Sequence, residues 1–158
     1  WATPDVALPG AGRVSALTPA NDGSLYIGFE TNGTATTPGL TTITNPGTAR
    51  SYPTIVITGP TSGTSRIYSI VNSTTNRAIY LNLTLVPGET ATLIFQPDNL
   101  SFTSDFVGNI ASTIVSGSNT ADFFLQPGTN SIAFFSADST VTATLYYRPA
   151  YLSLDDVP

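Results

Sequence analysis

From Leu40 to Arg148 the chain is made of short runs in which apolar and polar side chains alternate, each run closed by Gly, Pro, Asn or Asp. In an extended chain successive side chains point to opposite faces, so a period-two run is a strand with one face on a core and the other in water. The alternation is cleanest in Arg77 to Leu85, where Ile79, Leu81, Leu83 and Leu85 share a side and Tyr80, Asn82 and Thr84 share the other. It recurs in Thr140 to Arg148, where Val141, Ala143, Leu145 and Tyr147 oppose Thr142, Thr144, Tyr146 and Arg148. Further strands are predicted over Leu40 to Thr44, Thr54 to Gly59, Arg66 to Asn72, Thr90 to Gln96, Ala121 to Gln126 and Asn130 to Ser136. Turn signals at Asn45-Pro46-Gly47, Gly59-Pro60, Thr75-Asn76, Pro87-Gly88, Pro97-Asp98, Gly117, Pro127-Gly128 and Asp138 separate them. This is the spacing of short antiparallel strands, and their number is that of a two-sheet β-sandwich. The stretch Phe106 to Val115 fits either a strand or one helical turn, and periodicity does not decide.

Residues 1–39 have a different texture, rich in Pro, Gly, Ala and Thr. They read as an extended arm or linker with one embedded strand, in which Leu25, Ile27 and Phe29 fall on one face. So few apolar side chains make no core of their own, and a strand left alone needs an edge to pair with. The expected partner is an edge of the sandwich, most usefully that of a neighbouring copy, which makes Leu25, Ile27 and Phe29 the candidate self-association residues. The sandwich domain is assigned to residues 40–149 and an acidic tail to 150–158. A start at Trp1 rather than Met reads as a chain processed or cut from a longer one.

Composition narrows the chemistry. The 158 residues include 26 Thr, 16 Ser, 11 Ile and 9 Val, and this β-branched excess favours strands because such side chains are stiff at χ1. Only 9% are charged while 41% are apolar, the reverse of a disordered chain. There is no His, Cys, Met or Lys, which excludes a Ser-His-Asp triad, a thiol nucleophile, a Schiff base, a disulfide framework and a zinc site of the usual ligands. No cofactor is implied. A net charge of −5, with isolated arginines at positions 13, 50, 66, 77 and 148, gives no basic stripe for nucleic acid. No apolar run has the length of a membrane span.

The pieces TTITNPGTARSYPTIVITGP, LNLTLVPGETATLIF, FFLQPGTNSIAFF and TATLYYRPAYLSL follow one another at strand-and-turn positions. Together, over roughly residues 40–154, they resemble the C-terminal domain of siphovirus-type tail components, the distal tail proteins and their relatives. Asn45, Gly47 and Pro53, Gly88-Glu89, Pro127 to Asn130, and Arg148-Pro149 with Tyr151 carry the resemblance. It implies a galectin-like or jelly-roll-like sandwich, non-enzymatic and repeated in a ring within a virion tail. Members usually carry an N-terminal ring-building domain, and here only the arm stands in that place. The same positions have a physical reading: Gly47, Gly88 and Gly128 follow proline at turns, where Gly reaches positive φ, and Asn130 is placed to bond nearby backbone.

Candidate sites are few. Glu30, Glu89, Asp98, Asp105, Asp122 and Asp138 are the carboxylates available for a glycosidase-like pair, yet they fall at turns and strand ends with no spacing that singles out two, and no D-x-D-x-D run suggests calcium. No catalytic or metal residue is therefore assigned. Tyr68, Tyr80 and Tyr146 are the candidate carbohydrate-binding residues, as rings on outer sheet faces, although lectins of this fold stack sugars on a Trp beside His, and the single Trp here is Trp1. The reading is a structural phage virion protein of the tail or tail tip, whose partners are its own copies and other virion proteins. The alternatives are a carbohydrate-binding module, extracellular or used in attachment to host glycans, and a capsid or tail decoration protein.

Overall fold

The computed structural model describes residues 40–152, together with the backbone of three short strands ahead of them. Those three are β1 (Val6–Leu8), β2 (Thr18–Pro19) and β3 (Leu25–Tyr26). The rest run β4 (Leu40–Asn45), β5 (Thr54–Thr58), β6 (Ser65–Asn72), β7 (Arg77–Leu85), β8 (Thr90–Gln96), β9 (Asn99–Ser104), β10 (Gly108–Asn109), β11 (Gly128–Ser136) and β12 (Thr142–Tyr146). Single 3-10 turns occupy Ala111–Thr113 and Thr120–Asp122.

Two antiparallel sheets pack face to face. One is six-stranded in the order β1-β12-β5-β8-β9-β10, and the other is four-stranded in the order β4-β11-β6-β7. The alternation seen in sequence is the reason. Ile79, Leu81, Leu83 and Leu85 of β7, with Ile43, Ile70, Ile132 and Phe134, face Ile55, Ile57, Leu93, Phe95, Ala143 and Leu145 across one core. Phe95 is the hub, with Phe123 5.0 Å and Phe102 5.6 Å away between ring centroids. Burying these side chains, each worth roughly 1.5–3 kcal/mol, is what holds the sheets together.

The outer face of the six-stranded sheet shows where the threonines go. Thr142, Thr58 and Thr90 pair in one cross-strand row, and Thr144, Val56, Thr92 and Thr103 form the next. A third row is Tyr146, Thr54, Ile94 and Ser101. Hydroxyls and β-branched side chains thus make a wet face almost without charge.

Some expectations differ from what is seen, and one left open is resolved. Ala121 to Gln126 is not a strand: it is a 3-10 turn followed by extended chain with a single bridge, Leu125 to Ser51. Its backbone is bonded by side chains instead of by a neighbouring strand, since Asn45 Nδ2 donates to the Leu125 carbonyl (3.3 Å) and Asn72 Nδ2 to that of Phe124 (3.0 Å). Asn99–Ser104, a strand with weak alternation, completes a hairpin with β8. Phe106 to Val115 is part strand, β10, and part 3-10 turn. Gly88 and Gly128 do have positive φ, 80° and 85°, but Gly47 does not. Gly47 is needed for space, because a Cβ there would lie 2.2 Å from the Ala150 carbonyl oxygen.

Ahead of the sandwich, Val6–Leu8 pairs antiparallel with β12, Val6 opposite Leu145, and so forms one edge of the larger sheet. Leu25–Tyr26 pairs with Thr18–Pro19, not with the sandwich. Ile27 and Phe29 lie outside the described residues. No helix among the described residues is long and apolar enough to cross a membrane.

Candidate functional site

The start of β5 lies beside the ends of β8 and β12, because all three are antiparallel neighbours with Thr54 opposite both Ile94 and Tyr146. Where these strand ends meet, the approach to β5, the β8–β9 turn and the exit from β12 enclose a cleft of about 710 Å³. Tyr52, Gln96, Asp98, Tyr146 and Arg148 are among its walls.

Each wall is fixed from beneath. Ser51 exchanges backbone hydrogen bonds with Leu125, donating at 2.9 Å and accepting at 2.8 Å, and its Oγ donates to the Arg148 carbonyl at 2.6 Å. Leu125 is in turn held by Asn45, which also donates to the Ala49 carbonyl (3.0 Å) and accepts from Gly47 N (3.0 Å). Ala49 and Ala150 form a further bridge. The Tyr52 ring meets Phe124 edge-on at 6.3 Å, and the Arg50 guanidinium lies over the same Phe124, 4.3 Å from its centroid. Proline shapes the far side, where Pro97-Asp98 makes the two-residue turn between β8 and β9.

Charge is divided unequally here. Asp122 accepts from Arg77 Nε (2.8 Å) and Nη2 (2.7 Å) and also approaches Arg50 at 3.8 Å. Arg148 and Asp98, which line the cleft together with Arg50, have no such partner among the described residues.

The three tyrosines are not brought together. Tyr68 is on the outer face of the four-stranded sheet, packed with Val71, Ala133 and Phe135 and with Arg66 over its ring at 5.6 Å. Tyr80 is on β7 at that sheet's edge, its backbone N accepted by Ser118 Oγ (2.9 Å) and its carbonyl bonded by Val115 N (2.9 Å). Tyr146 stands on the other sheet and lines the cleft.

Most of the acidic residues have structural work. Buried Glu89 accepts from Ser104 Oγ (2.5 Å) and Val86 N (3.1 Å), and Asp105 from Thr90 N (2.8 Å). Asp138 accepts from Thr140 N (2.7 Å) and Thr140 Oγ1 (2.8 Å), which lowers its pKa below the usual 3.8. Glu30 lies outside the described residues. No three Asp or Glu side chains of the described residues gather into a metal-binding group.

Sequence reasoning reached Tyr146 through its outward phase on the last strand, but not Tyr52, Gln96 or Arg148 as a set. Their only signal was position, each at or just beyond a strand end and next to a proline at 53, 97 or 149. No family model matches the chain, and neither a curated protein nor a solved structure matches it.

Proposed function

We propose that the chain is a non-enzymatic structural protein of a phage virion, a tail or tail-tip component that assembles with its own copies and presents a surface. The observation that supports this reading is the way the edge of the larger sheet is filled: a three-residue strand, Val6–Leu8, pairs with β12 although it comes from far upstream of the sandwich. Backbone ladders carry little sequence preference, so an edge completed by a strand on an arm is equally well completed by the arm of the next copy. Closed, repeated assemblies use that exchange. The hydroxyl-rich outer face with almost no charge fits a surface packed among other proteins.

Electron microscopy of the purified full chain, over a range of concentrations, tests the reading. Rings or tubes are expected. A species that stays monomeric at high protein concentration by light scattering overturns it.

A further inference from the structure

We propose that the cleft at the ends of β5, β8 and β12 binds a neutral oligosaccharide. Its volume of about 710 Å³ falls within the roughly 300–1,000 Å³ of small-ligand sites. The chemistry of its walls then selects the ligand.

Two aromatic rings, Tyr52 and Tyr146, border the cleft, and Tyr52 is held by its edge-on contact with Phe124. Such rings offer apolar faces with a polar tip, suited to a molecule that is apolar on one face and hydroxylated round its rim. The lining also holds a guanidinium on Arg148, a carboxylate on Asp98 and an amide on Gln96, none engaged, among the described residues, in an ion pair or hydrogen bond with another side chain. The guanidinium only donates, the carboxylate only accepts, and the amide does both. Vicinal hydroxyls are the group that satisfies all three at once, because each donates and accepts.

Charge argues against the competing ligands. A phosphate or a sialylated sugar would gain from Arg148, and from Arg50, which also lines the cleft 3.8 Å from Asp122, but would face Asp98 in the same cleft, on a chain of net charge −5. A cationic ligand meets the converse problem at Arg148. A neutral sugar meets neither. The backbone of one wall is preorganised, since Ser51 ties the Arg148 carbonyl to the Leu125 segment, so binding orders side chains rather than chain. This site lies at the end of a sheet rather than on a sheet face, and it uses Tyr146 without Tyr68 or Tyr80. It is independent of the assembly proposed above.

The test is titration of the full chain with lactose, chitotriose, maltotriose and sialyllactose, read by calorimetry and by saturation transfer from protein to sugar protons. At least one neutral sugar is expected to bind, with affinity reduced about tenfold or more in Tyr146→Ala and in Asp98→Ala and unchanged in Tyr80→Ala. Melting curves establish that each variant is folded, and Asp98→Ala, on an exposed turn, serves if Tyr146→Ala is not. Absence of binding by all three neutral sugars at millimolar concentration overturns the proposal. So does tighter binding of sialyllactose, or binding that survives both cleft substitutions. Rings or tubes that persist in these variants would leave the assembly reading standing by itself.

Discussion

Asn72 and Asn130 have no solvent exposure, and between them they bond six backbone groups that strands leave open. Asn72 Nδ2 donates to the Phe124 carbonyl (3.0 Å) and to Asn130 Oδ1 (3.2 Å), while its Oδ1 accepts from Thr74 N (3.1 Å). Asn130 accepts from Gln126 N (3.0 Å) and donates to the carbonyls of Gln126 (2.9 Å) and Gly128 (3.0 Å). Removing such a group leaves buried donors and acceptors without partners at roughly 1–3 kcal/mol each. Asn72→Ala is therefore expected to destabilise by about 3 kcal/mol in denaturant unfolding, and Asn72→Asp to do no better, because a carboxylate oxygen would face the Phe124 carbonyl. Tyr147 offers a pH-dependent counterpart. Its hydroxyl donates to the Thr44 carbonyl at 2.7 Å, and burial raises its pKa above the usual 10.0. The folded state thus keeps Tyr147 neutral where the unfolded chain already ionises it, so its contribution is complete below pH 10 and is lost as pH rises through the higher folded value. The stability difference between the native chain and Tyr147→Phe should shrink as pH rises from about 9 to about 11, roughly one unit either side of the tyrosine reference value. A difference constant over that range would show that the phenol is not held neutral by the fold. At this scale the sequence was partly legible. Asn130 at a turn announces short-range bonds to its own backbone, but nothing local marks Asn72 as the partner of Phe124, which lies 52 positions away.

The bends in individual strands explain where period two ceases to predict faces. In β6 both Ile67 and Ile70 enter the core, three positions apart, because the register slips beside Ile67 and Ser69 against both β7 and β11. Alternation holds on β7 from Ile79 onward, where Ile79, Leu81, Leu83 and Leu85 all reach the core. A bulge changes phase without changing composition, so the sequence shows the strand but not its kink. The segment after β10 is likewise an element with a purpose not visible in its texture. Asn119 N donates to the Ala78 carbonyl (2.8 Å) and Asn119 Oδ1 accepts from Ala78 N (2.9 Å), so together with Ser118 and Val115 it covers the outer edge of β7. Covering an open edge in this way blocks uncontrolled strand addition. Gly47 lies against the Ala150 backbone at the cleft end of the sandwich. Gly47→Ala would drive its Cβ into the Ala150 backbone, 2.2 Å from the oxygen, and nothing flexible can yield. The expected cost is about 2 kcal/mol or more, read as a shift in melting temperature. Saccharide binding should weaken with it, since the Ala49–Ala150 bridge borders the cleft. Melting indistinguishable from that of the native chain would place Ala150 free to move.

At the scale of the molecule, the question is what the arm contributes to the sandwich. Among the described residues, the side chains of the main core lie between Ile43 and Tyr147, and the central strands of both sheets come from that interval. The fold class was legible because this core is written in period-two runs within that interval. The cleft was not, because its walls come from three separated segments that meet only when β12, β5 and β8 align. The arm differs again: the sequence marked Leu25 to Phe29 as its strand, whereas the edge of the larger sheet is filled by Val6–Leu8, a run too short for alternation to register. Removing residues 1–39 should therefore leave a cooperatively melting all-β domain, lowered in stability by the lost β1–β12 ladder but not unfolded. Circular dichroism on the two chains measures this. The truncated chain bares the β12 edge, which in the full chain is occupied, so it cannot form arm-exchanged assemblies but can accept an arm. Mixed with full-length chain it should cap growing rings or tubes and reduce their size in light scattering. Unfolding of the truncated chain would make the arm an integral part of its own domain, and assembly unaffected by truncation would place the contact between copies on another surface.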